Sequence, residues 1–407
     1  MDHFLSSWGE AAYTTLGFFW MALWAFVLGY AISSMIQVFV THERMKSTMG
    51  ESNAKSIFLG TFFGFISSSC SFSALASAKS IFKKGASFIS SLAFLLASTN
   101  LVIELGIVIS IFLGWQFVVG EYVGGILLIL ISWLLVSVIK PKKLIENARK
   151  KLQSEGMQSD TESRGVLEKL KSEKAWAKVG KQYIMEWKMV WKDVTIGFTI
   201  AGIISVFVPD VFFQNLFINT GNGQETFSFF TLLEHTLVGP IAAFLTFIGS
   251  MGNIPLAALL FGKGISFAGV MAFIFSDLVV FPVLRINARY YGWKMALFIL
   301  VLLFVSLIIT SLSLHYGLKL FNALPSSSDA NILQSDHFGL DYTFYFNIAF
   351  LLISGVLVYL SLVKGKGIKH QKEMAMKSPL FEKVLKWIAL GSYVWLLAGI
   401  LMYFFEL

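Results

Sequence analysis

The chain has 407 residues, of which 56% are hydrophobic, 15% aromatic and only 14% charged. Apolar runs on that scale exceed what one soluble core can bury, so the class is an all-α polytopic membrane protein. The formal net charge of +8 does not point to nucleic acid, because the basic residues lie in loops between apolar runs and not on one soluble face.

A membrane-crossing helix needs roughly 20 apolar residues. In chain order the unbroken candidates are 16–39, 122–138, 194–213, 295–313, 344–363 and 387–405, with two broken regions between them. The N-terminal MDHFLSSWGE is acidic and the run from Leu16 is longer than a signal-peptide core, so the first span is expected to be retained. Cys70 is the one cysteine and cannot form an internal disulfide or a redox pair. The six histidines (3, 42, 235, 315, 337, 370) never fall at ligand spacing on a helix. Neither a structural metal nor a cofactor is expected.

Charge orients the spans. Residues 140–193 carry 14 Lys and Arg against 8 Asp and Glu, and residues 364–386 carry 7 against 2, so both loops are expected in the cytoplasm. RINARYYGWK, 285–294, has Arg285, Arg289 and Lys294 with no acid and belongs inside. The loop 314–342, with Lys319 against Asp329, Asp336 and Asp341, belongs outside.

With 16–39 running inward, a full span at 58–78 would place Lys79, Lys83 and Lys84 outside, and the basic 140–193 loop with them. A re-entrant hairpin over 57–84, entering from the cytoplasm and breaking near Ser67–Ser71, removes the conflict. Its small polar residues would satisfy backbone groups at the tip that helix otherwise satisfies. Residues 88–112 then cross outward as a helix broken at Ser98, Thr99 and Asn100, and 122–138 returns.

Sliding the chain on itself by 179 positions sets FKKGASFISSLAF (82–94) over FGKGISFAGVMAF (261–273), with seven identities in thirteen positions; chance gives about one. The first copy is 1–140. A cytoplasmic linker, 141–193, follows, in which 166–192 places Trp176, Trp187 and Trp191 among lysines as an interfacial amphipathic helix. The second copy is 194–313, with a hairpin at 228–263 and a broken helix at 266–284. Charge counting gives it the opposite orientation, an arrangement that builds secondary transporters around half-helix ends near the bilayer centre. The last two spans, within 343–407, lie outside the repeat and are expected at the periphery. Both termini fall outside.

Four breaks then meet at mid-depth: Ser67, Ser68, Ser69, Cys70, Ser71 and Ser73; Ser98, Thr99 and Asn100; Gly252 and Asn253; Ser276 and Asp277. Half-helix N-termini there suit an anion or a partial negative charge. The competing reading is that the small residues serve only close helix packing. Glu104 and Asp277 are carboxyls at depth and candidates for proton or cation coupling. They could also pair locally, Asp277 with Arg285 or a hairpin N-terminus. Glu234 and His235 read as a solvated cap. Cys70 is either a thiolate ligand for a soft metalloid or a small buried hydrophobe.

The stretches SSSCSFSALASAKSIFKKGASF, AFLLASTNLVIELGI, GNIPLAALLFGKGISFAGVMAFIFSDLVVFPVL and RYYGWK resemble the paired signatures of the predicted permease family that includes the organoarsenical efflux permeases. That resemblance covers roughly 57–140 and 230–300. It implies a permease of the cytoplasmic membrane of a prokaryote and, for the characterised branch, export of trivalent organoarsenicals that bind thiols. Cys70 is alone here and the second copy has Ser250 and Met251 at its break, so a multi-thiolate arsenic site within one chain is not available. The expected partners are membrane lipid and a small or ionic substrate, with a homo-oligomer left open. Alternating access is the leading mechanism and a passive channel the alternative. An intramembrane enzyme is disfavoured, because Asp277 has no second aspartate and no histidine at depth.

Overall fold

Short polar or glycine-containing stretches decide where these apolar runs stop being helix. A computed structural model of the chain describes residues 2–39, 54–67, 71–83, 85–153, 172–220, 227–246, 250–326, 338–339, 342–364 and 379–405. Among these residues every regular element is helical. Seven helices are long and apolar enough to cross a membrane, or eight when one bent pair is counted as a span.

Helix α1, Asp2–Phe39, is a single 38-residue rod. The next apolar region is divided into α2, Ala54–Ser67, and α3, Ser71–Lys83, of 14 and 13 residues. At 1.5 Å per residue each reaches about 20 Å, short of the roughly 30 Å of a hydrocarbon core. Gly85, at φ +111°, takes a left-handed conformation that a side chain would strain. The Ser87 side chain then caps α4, Phe88–Asn100, by accepting from the Ser90 amide. Thr99 Oγ1 donates to the Leu95 and Leu96 carbonyls and Asn100 Nδ2 to Leu96, drawing on the last turn's acceptors. The helix stops there, and α5, Ile103–Phe112, resumes at an angle of 42°.

Helix α6 spans Trp115–Ile139 and α7 spans Lys142–Gln153. Helix α8, Glu173–Phe207, is 35 residues long and ends before Pro209, which biases Val208 away from helix; the short α9, Asp210–Leu216, follows. A second divided pair is α10, Phe229–Thr246, and α11, Ser250–Gly262. Then come α12, Phe267–Ile274, a 3₁₀ turn at Phe275–Leu278, and α13, Phe281–Tyr291. Helix α14 is Trp293–Leu320, α15 is Tyr342–Tyr359 with a π turn to Lys364, and α16 is Pro379–Phe405.

Several elements differ from the sequence reading: α1 begins at Asp2 and not Leu16, and α6 at Trp115 and not Tyr122. Helix α8 starts twenty-one residues before 194, so the part of the 166–192 segment that is described is the first turns of a span and not a separate interfacial helix. Tyr183, Glu186 and Lys192 on it are buried, beside α15, α16 and the π turn. The basic stretch from Arg285 is helical to Tyr291, because Gly292 at φ +91° is the first residue to break the pattern.

Burial ranks the layers. The apolar window of 267–291 is 94% buried, whereas those of α15 and α16 are 17% and 22% buried, which puts the last two helices on the rim. They lie against α1 and α8. Contacts recur between stretches related by the 179-residue offset: α2 and α3 pack on α4 as α10 and α11 pack on α12, and α4 meets α6 as α12 meets α14. Helices α6 and α14 face each other, and Ser132 Oγ donates to Ser306 Oγ across them at 3.0 Å.

The C-terminal ends of α3 and α11 lie at opposite ends of α6. Past its C-terminal end, Arg149 Nη2 donates to the Ala86 carbonyl at 2.8 Å and lies over the Phe82 ring at 4.5 Å. Phe82 also meets Tyr291, and Lys151 Nζ donates to the Arg289 carbonyl at 2.9 Å. By its N-terminal end, Phe117 packs 4.8 Å from both Phe261 and Phe267.

Candidate functional site

The first divided pair meets the second broken helix. Ser71 is the first residue of α3, and its Oγ donates to Asp277 Oδ2 at 2.9 Å in a buried contact. Asp277 sits in the 3₁₀ turn between α12 and α13 and is 4% exposed. The start of a helix offers unpaired amides and the positive end of its dipole, so a carboxylate facing α3's first residue is favourably placed. The carboxyl thus has the first residue of α3 as a hydrogen-bonding neighbour.

Between the two broken helices runs α6. Gly124 abuts Phe275 and Leu314, Gly120 abuts Met271 and Phe267, and Gly125 abuts Leu101 and Asn100. One face of α6 thus touches the 3₁₀ turn and its other face the α4–α5 bend. Glu121 lies one turn before Gly124 and Gly125 on this surface, is 0% exposed, and neither carboxyl oxygen has a hydrogen-bond partner among the described residues. It is in Coulombic range of Asp277. Tyr122 next to it donates to the Val102 carbonyl at the bend, at 3.3 Å, and feels both Glu121 and Glu104. Glu104, 4% exposed, is in the first turn of α5 and lies so close to Gly29 of α1 that no side chain fits at that glycine.

The remaining sequence candidates fall as follows. Ser67 is buried at the end of α2. Ser68, Ser69 and Cys70 lie outside the described residues, and Ser73 is on α3 with its side chain outside the description. Ser98 is fully buried. Thr99 and Asn100 bond within α4, and Ser276 donates to the Phe273 carbonyl. Gly252 packs against Gly197 of α8, where a Cβ at Gly197 would stand 2.6 Å from the Gly252 carbonyl. Asn253 is 0% exposed, and both polar atoms of its amide lack partners among the described residues. The structure therefore joins Ser71 to Asp277, with Glu121 in Coulombic range of that carboxyl; Asn253 lies on α11, which contacts α8, α5 and α12.

Glu121 is the residue that sequence reasoning missed. Hydropathy started the span at Tyr122, leaving Glu121 at its edge, whereas the helix starts at Trp115. The signal available was Gly120-x-x-x-Gly124-Gly125, small residues at close-packing spacing on both sides of a carboxyl. Among the described residues no group of three His, Cys, Asp or Glu could hold a metal ion. His235, taken as a solvated cap, is instead buried, with Nδ1 3.0 Å from Ser266 Oγ and Nε2 2.9 Å from the Ile218 carbonyl.

A family model described as "Predicted permease" matches residues 7–316. The chain is 33% identical over 337 residues to a protein of Mycobacterium tuberculosis named "Putative permease Rv2963", an alignment covering 80% of this chain and 81% of that one. No solved structure matches.

Proposed function

The chain belongs to the predicted permease family, and from that premise we propose that it moves a small solute across the membrane by alternating access between two halves of opposite orientation. The observation that carries this reading is the Ser71–Asp277 hydrogen bond. It ties the tip of a divided helix pair in one half to the break of a helix in the other, inside the buried centre. Opposed halves with interrupted helices meeting at depth are the architecture on which rocking of one half against the other exposes a central site to each side in turn.

The re-entrant hairpins are α2–α3 and α10–α11: the legs α2, α3 and α11, of 14, 13 and 13 residues, are too short to cross separately, and the turns after α3 and α11 lie by opposite ends of α6. Basic-loop counting places the Lys83 turn in the cytoplasm, the Lys263 turn outside, and both termini outside a prokaryotic cytoplasmic membrane. Sidedness of labelling separates a transporter from a channel. In a Cys70→Ser background, Ser71→Cys should react with an impermeant maleimide from one side at a time; reaction from both sides of sealed membranes under one condition would indicate an open pore.

For the substrate, the reading is efflux of a trivalent organoarsenical or a similar small metalloid, with Cys70 as the single thiol. Expression in an arsenical-sensitive bacterial strain should confer resistance to methylarsenite that Cys70→Ser removes. Absence of resistance from the unaltered protein would refute that substrate.

A further inference from the structure

We infer that Glu121, together with Asp277, forms a proton-carrying site between the two broken helices, a role that rests on the permease reading above. Neither oxygen of Glu121 accepts or donates a hydrogen bond among the described residues, and none of the side chain is exposed. A carboxylate anion there would give up its hydration with nothing in exchange, so in this conformation the group carries its proton. An ionisable side chain held at such cost inside a membrane protein is usually kept because it changes charge during function.

Its surroundings fix which groups it answers to. Asp277 of the 3₁₀ turn is the like charge in range. Glu104 of α5 acts on the adjacent Tyr122. Helix α14 contributes Leu314 at Gly124, and the following residue, His315, has Lys319 as its Coulombic partner. Helices α12 and α4 present Met271, Asn100 and Leu101, which do not titrate. Asp277 has the Ser71 hydroxyl and the start of α3 beside it, which favour an anion there, whereas Glu121 has no donor among the described residues, so of the two it is Glu121 that holds a proton. Moving the α3 tip away from Asp277 would remove that stabilisation, let water reach the pair and release the proton. Proton movement is thereby linked to hairpin movement. A proton needs one oxygen only, whereas two carboxyls and one hydroxyl are few ligands for a dehydrated metal cation.

A fluorescent hydrophobic carbodiimide, which adds to protonated carboxyls in apolar surroundings, tests this on the full-length protein in membrane vesicles, with modified peptides identified by mass spectrometry. Glu121 should be modified, with a yield that falls about five-fold or more as the pH is raised far enough to ionise it. Glu121→Gln should abolish the signal and Glu121→Asp should retain it, which guards against a folding defect in the first variant. Asp277→Asn removes the like charge and should lower the yield at neutral pH. Replacing choline chloride by sodium chloride should leave the yield unchanged. An unmodified Glu121 in protein modified elsewhere, a yield indifferent to pH or to Asp277→Asn, or protection by sodium would each overturn the inference. The readout does not require solute movement. A titrating Glu121 in a protein that transports nothing would count against the permease reading alone; transport with an inert Glu121 would count against this site alone.

Discussion

Ser71 and Asp277 are 206 residues apart in the chain and joined by a buried 2.9 Å hydrogen bond. That bond is the point at which the first divided helix pair touches the second broken helix. It also explains two local features together: why α3 begins with a hydroxyl residue, and why a carboxyl is tolerated in a segment that is otherwise almost wholly apolar and buried.

Ser71→Ala should leave Asp277 short of a buried partner, at a cost of about 1–3 kcal/mol. Differential scanning fluorimetry of purified protein should show a melting temperature lower by about 1–4 °C. Asp277→Asn keeps an acceptor oxygen and should lose less. No change for Ser71→Ala would mean that the bond is incidental.

Glycine positions should split sharply. At Gly197 a Cβ would meet the Gly252 carbonyl carbon at 2.9 Å and its Cα at 2.7 Å, backbone atoms that cannot rotate aside, whereas a Cβ at Gly391 or Gly355 meets nothing within 4 Å. Gly197→Ala should therefore greatly reduce the amount of folded protein recovered by size-exclusion chromatography. Gly391→Ala should be neutral or stabilise by up to about 1 kcal/mol, since alanine is the better helix former.

Helix α7 fastens one end of the molecule. Arg149 holds the Ala86 carbonyl and lies on Phe82, while Lys151 holds the Ala288 and Arg289 carbonyls. Arg149→Ala should speed amide hydrogen exchange over 85–90 and 286–292 without changing it at 261–267, at the other end of α6. Arg149→Lys keeps the charge but not the planar guanidinium, so exchange should fall between the two.

Much of the helical layout was legible because small polar and glycine residues punctuate an otherwise continuous hydropathy signal. The bend after Asn100 falls where the Thr99 and Asn100 side chains take the carbonyls of the last turn, and the other apolar runs part after Ser67 and before Ser250. Boundaries set by backbone conformation were less visible: the helix through Arg285 ends only at Gly292, and α8 runs unbroken through a basic, tryptophan-rich stretch because its buried stripe of Tyr183, Glu186 and Val190 continues the span. The site was only half legible. Asp277 was evident as a charge in an apolar run, but its partner Ser71 depends on register between distant halves, and Glu121 hid at the edge of a hydropathy window.

The account turns on the two halves being threaded oppositely through the membrane, and sidedness of the two hairpin turns tests that most directly. Lys83→Cys and Lys263→Cys, each in a Cys70→Ser background, would be exposed to an impermeant maleimide in intact cells and in everted vesicles. Opposite threading predicts Lys263→Cys labelled in cells and Lys83→Cys only in everted vesicles; labelling of both from the same side would contradict it.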